Sequence, residues 1–182
     1  MEKSVLPPNP TKVATKWAVI NALVAIILTY VFLFMDVDQQ SPLQYLSMIP
    51  TIAFLLLAQK EFKDELGGFI SFGQAFSAGF RYALFTGLII GIFIALYLWI
   101  LNPEALEKSL EASRVQMEER DMSSAEIEKA MDISRSIGPW MGGFFTAVMY
   151  AAGGAILALI GAAIFKKERS AYDIVDEAVD PE

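Results

Sequence analysis

LAQKEFKDELGGFISFGQAFSAGFRYALF, residues 57–85, places five charges in six residues beside two glycines and a run of phenylalanine mixed with Gly, Ser, Gln and Ala. Uncharged segments flank it on both sides, so its reading decides the fold. It is a substrate loop, a phosphate-cradling glycine turn, or the hinge of a membrane hairpin. A phosphate cradle sends its glycines straight into helix N–H groups, preferably with a following lysine. Here no GKS or GKT follows, and the nearest downstream cation is Arg81. The hinge reading accounts for more. Residues 57–66 continue a helix about two turns beyond the membrane surface, with Lys60 and Asp64 spaced as an i,i+4 pair. Gly67 and Gly68 stop that helix, one of them supplying the left-handed residue that helix ends favour. Ser71 opens the next helix, and Gln74 three residues on completes a capping box.

Working outward, the apolar residues fall in blocks. Residues 19–35, 43–59, 82–101 and 137–165 carry no charge, with Pro50 interrupting the second. A membrane-spanning helix needs about 20 apolar residues, or about 17 when tight. The chain has 182 residues, 55% of them hydrophobic and 19% charged, the latter below the roughly 25% of soluble domains. These numbers predict an all-α membrane protein with four transmembrane helices, over about residues 17–35, 42–59, 79–101 and 139–165. A signal peptide is the competing reading of the first span, but FLFMDVDQQSP offers no small-x-small cleavage site.

Composition also limits the chemistry. There is no cysteine and no histidine, which removes thiol and disulfide chemistry, the commonest general base and the usual zinc and haem ligands. No ionisable side chain lies in the middle of any expected span, where ion and proton pathways usually show one. The polar residues within the spans are Asn21, Thr29, Ser47, Thr51, Thr86 and Thr146. Asn21 reads as an interhelical hydrogen bond and Pro50 as a packed kink. No internal repeat of the kind broken-helix transporters carry is visible. Neither a catalytic, a metal-binding nor a cofactor-binding residue is expected.

Lysine and arginine set the orientation. Lys3, Lys12 and Lys16 precede the first span, Lys60, Lys63 and Arg81 flank the hinge, and Lys166, Lys167 and Arg169 follow the last span. The turn MDVDQQS has none. Both termini and the hinge are therefore expected on the cytoplasmic side, as an arm over residues 1–16 and a disordered tail over 168–182. Trp17 is expected at the inner boundary, and Tyr45, Trp99 and Trp140 near the outer one. Phe69, Phe72, Phe76 and Phe80 fall on one face of a helix and read as an interfacial foot.

The most regular pattern is a row of small residues. Ala75, Gly79, Ala83, Gly87, Gly91 and Ala95 recur every four residues, and Gly143, Ala147, Ala151 and Ala155 answer them in the last span, with Gly154, Ala158 and Ala162 beside. Such rows let helix backbones approach closely where no hydrophobic force acts between helices. They either close the bundle within one chain, the preferred reading, or form a dimer seam.

Residues 103–136 are the sizeable polar part, expected as an extracytoplasmic hairpin of two short helices. Asn102 caps the first with Pro103 at its N1 position, Ser123 and Glu126 form a capping box for the second, and Gly138-Pro139 ends it. Leu106, Leu110 and Met117 make one apolar stripe, with Ile127, Met131 and Ser134 a weaker one. Glu104, Glu107, Glu111, Glu118 and Glu119 read as a solvated face with i,i+4 pairs such as Glu104 and Lys108, rather than as a metal site.

KEFKDELGGFISFGQAFSAGF, then NPEALEKSLE, MEERDMSSAEIEKAM and the closing IFKK, together resemble domain of unknown function 4199, a membrane family found mainly in Bacteroidota. The resemblance covers residues 16–167. It implies a four-span bacterial inner-membrane protein and brings no catalytic or binding residue. The expected function is therefore that of a non-enzymatic integral membrane protein acting through helix packing or as an accessory subunit. The alternative is a small oligomeric transporter or channel for an uncharged or lipid-like solute. The expected partners are membrane lipid, a second copy or another membrane protein, and no nucleic acid.

Overall fold

The computed structural model describes residues 8–35, 37 and 41–169. In chain order it has α1 (Pro10–Phe34), a 3-10 segment (Pro42–Ser47), α2 (Met48–Glu65), α3 (Phe72–Leu96) with a π-helical last turn (Tyr97–Leu101), α4 (Pro103–Glu118) and α5 (Ser124–Phe165). The chain divides into two compact units. One takes the residues up to Thr86 and from Tyr150 onward; the other is Gly87–Met149.

Among the described residues, three helices are long and apolar enough to cross a membrane: Pro10–Phe34, Phe72–Leu101 and Ser124–Phe165. Little of them is buried. Ile27, Phe34, Met149, Ile156 and Ile164 are all more than half exposed, an apolar exterior far larger than the isolated patches of soluble proteins. The fourth expected span is not among the three. Its α-helical part is α2, 18 residues whose last turns carry Lys60, Glu61, Lys63, Asp64 and Glu65. The six residues before it are 3-10 helix.

In the first unit the core is built largely from small side chains: Ala14, Ala18 and Ala22 on α1, Ala58 on α2, Ala75 and Ala78 on α3, Ala158 and Ala162 on α5, with Leu55, Phe62 and Tyr82 as the bulky members. Asn9 caps α1, its side-chain oxygen accepting from the Thr11 N–H at 2.9 Å, and Pro10 sits where no intrahelical N–H is needed. The helix thus starts well before residue 17. Thr11 to Lys16, expected in a cytoplasmic arm, are helical and join the unit. Glu61 of α2 accepts from Lys16 and, at 2.7 Å, from the Trp17 indole N–H. Arg81 of α3 donates to the Thr11 hydroxyl at 2.6 Å.

The hinge has a defined structure. The Gly67 N–H donates to the Asp64 carbonyl at 3.1 Å and the Gly68 N–H to the Lys63 carbonyl at 3.0 Å, the paired bonds of a Schellman motif. Both glycines are left-handed, with φ of 76° and 85°. The expected Ser71–Gln74 capping box is present at 3.0 and 3.3 Å, and so is the Lys60–Asp64 ion pair at 3.1 Å. Between the two, Ile70 pairs with Lys167 in an isolated antiparallel bridge of two hydrogen bonds, 2.9 and 3.0 Å. That bridge tethers the hinge to the end of α5. Phe69 therefore lies in the turn rather than on the expected phenylalanine face, under the cationic groups of Lys167 and Arg169. Phe76 and Phe80 stack on each other one turn into α3.

In the second unit α4 follows the expected cap, with the Asn102 side chain accepting from Ala105 at 3.1 Å. The Ser123–Glu126 box also forms. Two expectations are corrected. Gly138-Pro139 does not end a short helix: α5 runs unbroken through Pro139, which is fully buried. Proline removes one i→i−4 bond and crowds the carbonyl before it, a disruption that packed helices absorb. Pro50 lies in the first turn of α2, just after the 3-10 segment, where its missing N–H needs no partner. Glu104 and Lys108 do not pair; the ion pairs run from Arg114 to Glu118 and from Arg135 to Glu107 and Asp132. Lys3 and all of the expected tail beyond Arg169 lie outside the described residues.

Candidate functional site

The small-residue rows of α3 and α5 meet within one chain. In the first unit, a Cβ at Gly79 would lie 2.9 Å from the Ala158 Cβ and 2.6 Å from the Gln59 amide nitrogen. One at Gly154 would overlap the Ala83 side chain, and one at Gly161 would overlap the Gln59 carbonyl oxygen. In the second unit Gly91 and Gly143 face each other so closely that a methyl on either would strike the other's backbone carbonyl. Ala95 lies 3.2 Å from the Cβ position of Gly143, and Ala147 lies 3.4 Å from that of Gly91. Gly87 is buried and Ala151 half-buried. Gly67 and Gly68 stand apart at the hinge with open space around them, so their role is conformational.

Gln59 is the residue the sequence reading missed. It is fully buried. Its amide nitrogen donates to the Ala75 carbonyl of α3 at 3.0 Å and to the Ala158 carbonyl of α5 at 2.9 Å, so one side chain of α2 clasps two other helices. Both carbonyls belong to helix ladders and accept the amide with a second lone pair. Among the described residues the Gln59 side-chain oxygen has no ordinary donor. The hydrogen on the Gly161 Cα occupies the direction a Cβ would take and points at it, the geometry of a weak Cα–H···O bond. Gly79 and Gly161 thus form the slot that holds the amide. The available signal was a glutamine immediately ahead of KEFKDE, which reads as part of the charged extension.

A second polar group lies nearer the middle of the unit. The Asn21 amide reaches the Thr51 hydroxyl at 3.3 Å, giving the interhelical contact expected of Asn21. The Tyr82 hydroxyl donates to the Thr51 carbonyl at 3.0 Å. Thr51 thus joins α1, α2 and α3. Thr86, fully buried on α3, has a hydroxyl with no hydrogen-bond partner among the described residues. Thr29 and Thr146 bond their own helices instead, each to the carbonyl four residues back at 2.9 Å.

Neutral amides and hydroxyls spent on other helices give this seam holding power. Among the described residues, no three acidic side chains group closely enough to hold a metal ion. Outside the apolar segments, the bidentate bond from Arg135, at 2.9 and 3.0 Å, holds the Glu107 carboxyl below its ordinary range.

Residues 16–167 match the family described as Protein of unknown function (DUF4199). The chain belongs to the DUF4199 family. The DUF4199 region contains the whole Gln59 clasp, the Asn21–Thr51–Tyr82 group, both hinge glycines, the α4–α5 hairpin and Lys167 of the backbone bridge. No curated protein and no solved structure matches the chain.

Proposed function

We propose that this DUF4199 chain is a four-span inner-membrane protein whose role is non-enzymatic, exerted through helix packing as a homo-oligomer or as the accessory subunit of a membrane complex. The observation that carries the reading is the Gln59 clasp, a buried amide nitrogen that donates to two neighbouring helices and so joins three. The fourth crossing is made by the 3-10 segment and the first 12 residues of α2, to Gln59. At about 2.0 and 1.5 Å per residue these span about 30 Å, the thickness of a hydrocarbon core. At 42 residues, α5 is about 63 Å long, so its charged amino-terminal turns project beyond the bilayer with α4.

Both termini face the cytoplasm in this reading. In its support, contacts bring three cation-bearing segments to one end of the first unit: Lys16 to Glu61, Arg81 to Thr11, and Lys167 to Ile70. The test is to extract the tagged protein in native lipid discs and identify what accompanies it. Stoichiometric recovery of another membrane protein supports the subunit role, and recovery of only a homo-oligomer with lipid supports self-association. A monomer with lipid alone removes the proposal.

One observation favours a second reading, an oligomeric transporter of an uncharged or lipid-like solute. The Thr86 hydroxyl is fully buried one turn after Tyr82 of the Thr51 group, and no residue among those described meets it with ordinary hydrogen-bond geometry. Under this reading Thr86→Val leaves folding intact and abolishes solute flux in vesicles; unchanged flux removes it.

A further inference from the structure

One end of the first unit carries more cations than its own carboxylates satisfy. Contacts gather residues 9–17, 59–81 and 166–169 there: Arg81 on Thr11, Lys16 on Glu61, and Lys167 in the bridge with Ile70. These segments hold eight cationic side chains against four carboxylates. Three of the four carboxylates are already paired, with Lys16, Lys60 and Lys166. Lys12, exposed on the first turn of α1, and Lys63, half-buried beside the hinge, have no ion-pair partner among the described residues. Lys167 is exposed and faces the Phe69 ring rather than an acid. Phe72, exposed at the first residue of α3, adds an apolar step two residues from the bridge.

The matching charge lies on the same chain. Residues 170–182, outside those described, continue directly from Arg169 and carry five carboxylates with no cation. Asp176, Glu177 and Asp180 stand three, four and seven residues after Asp173, the spacing of one helix face, with Ile174, Val175 and Ala178 among them. The eleven residues from Arg169 to Asp180 reach about 36 Å when extended, whereas packed helices lie about 8–10 Å apart. Every cation of this end is therefore within reach. Exposed ion pairs are individually weak, but a short tether holds the acidic segment at a roughly millimolar effective concentration. An anionic lipid surface offers the charge without the tether. We propose that the acidic segment of residues 170–182 docks on this basic end and covers it. The contact is separate from the Gln59 clasp and does not depend on the packing role.

The experiment places spin labels at Thr15→Cys, exposed on α1, and at Ala178→Cys, on the full-length protein in zwitterionic-lipid discs. A narrow distance distribution is expected at low salt. Its narrow component should shrink about fivefold in 1 M salt, where the screening length falls to about 3 Å. Neutralising the segment with Asp173→Asn/Asp176→Asn/Glu177→Gln/Asp180→Asn should abolish it, and Lys12→Gln/Lys63→Gln should at least halve it. Lys108→Gln/Lys129→Gln makes the same charge change on the α4–α5 hairpin and should leave it unaltered. Equal losses in the two lysine pairs would reveal a net-charge effect and overturn the docking. A broad distribution at low salt would also overturn it, even where anionic lipid collects around the protein. The same narrow component from a mixture of singly labelled chains would overturn it in favour of a second copy. Should a lysine variant misfold, the salt response of the doubly labelled chain decides. Shrinkage with salt supports the docking, and a distribution indifferent to salt overturns it.

Discussion

Gln59 sits in a slot with no spare room, which makes its neighbours testable one by one. Gly161→Ala forces a methyl onto the amide oxygen and should destabilise the protein by about 1–3 kcal/mol, the usual cost of overpacking. Gly153 lies eight residues earlier on the same helix with nothing within 4 Å of its Cβ position, so Gly153→Ala should be neutral or stabilising. Thermal unfolding of the two variants in one detergent checks the contrast; equal losses would remove the clasp. Gln59→Glu is a harsher test of the same geometry. It aims an acceptor at two carbonyls that now receive an N–H, in a fully buried site, and several kcal/mol should be lost unless the acid is protonated. The measurement is the yield of folded protein against pH, expected to recover on acidification. At the hinge, Gly67→Ala meets no atom and still pays for its left-handed φ of 76°, about 1–2 kcal/mol. The small residues and the hinge glycines were legible because spacing alone exposes them. Gln59 was not, since its meaning depends on carbonyls 16 and 99 residues away.

At the level of elements, the caps could be read from sequence and the continuity could not. Ser71–Gln74, Asn102–Pro103 and Ser123–Glu126 are local patterns, and each forms the expected bonds. Pro139 looks like a terminator in the same local terms, yet tertiary burial carries α5 through it. The hairpin of α4 on α5 rests on buried Leu106, Leu110 and Ile127 and on one bidentate pair, Arg135 with Glu107. That pair gives it a pH dependence of definite sign. The folded Glu107 carboxyl titrates below its ordinary value of 4.5, so its contribution is complete above that value and is lost as pH falls through the folded one. Spin labels at Ser113→Cys and Lys129→Cys should show a narrow distance at neutral pH that broadens on acidification. Glu107→Gln should broaden it at neutral pH and flatten the pH response.

For the molecule as a whole, the sequence yields an all-helical chain with membrane-length apolar helices, and the described residues include three such helices. The second apolar block is the point of difference, because its helical part is short and its charges begin straight after Gln59. Periodicity does not separate a 3-10 entry from an α-helical one. Because the chain has no cysteine, single substitutions report topology without background. With four crossings and cytoplasmic termini, Thr15→Cys should react with an impermeant maleimide only after the inner face is exposed. Ser41→Cys and Ser113→Cys should react in intact spheroplasts. Labelling of Ser41→Cys and Ser113→Cys from opposite sides would leave the three crossings of α1, α3 and α5.

The Gln59 bond to Ala158 and the Ile70 pairing with Lys167 also impose an order in time. The first joins the early half of the chain to its last helix across 99 residues, and the second joins it to the residues just after that helix. At about 5–20 residues per second of synthesis, Gln59 waits on the order of 5–20 seconds for its acceptor on α5. During that interval the nascent protein holds a polar amide among apolar helices with half its partners not yet made. Ribosome-released fragments ending before residue 150 should therefore be short-lived, and quality-control proteases are set against a window that closes only when the final helix arrives.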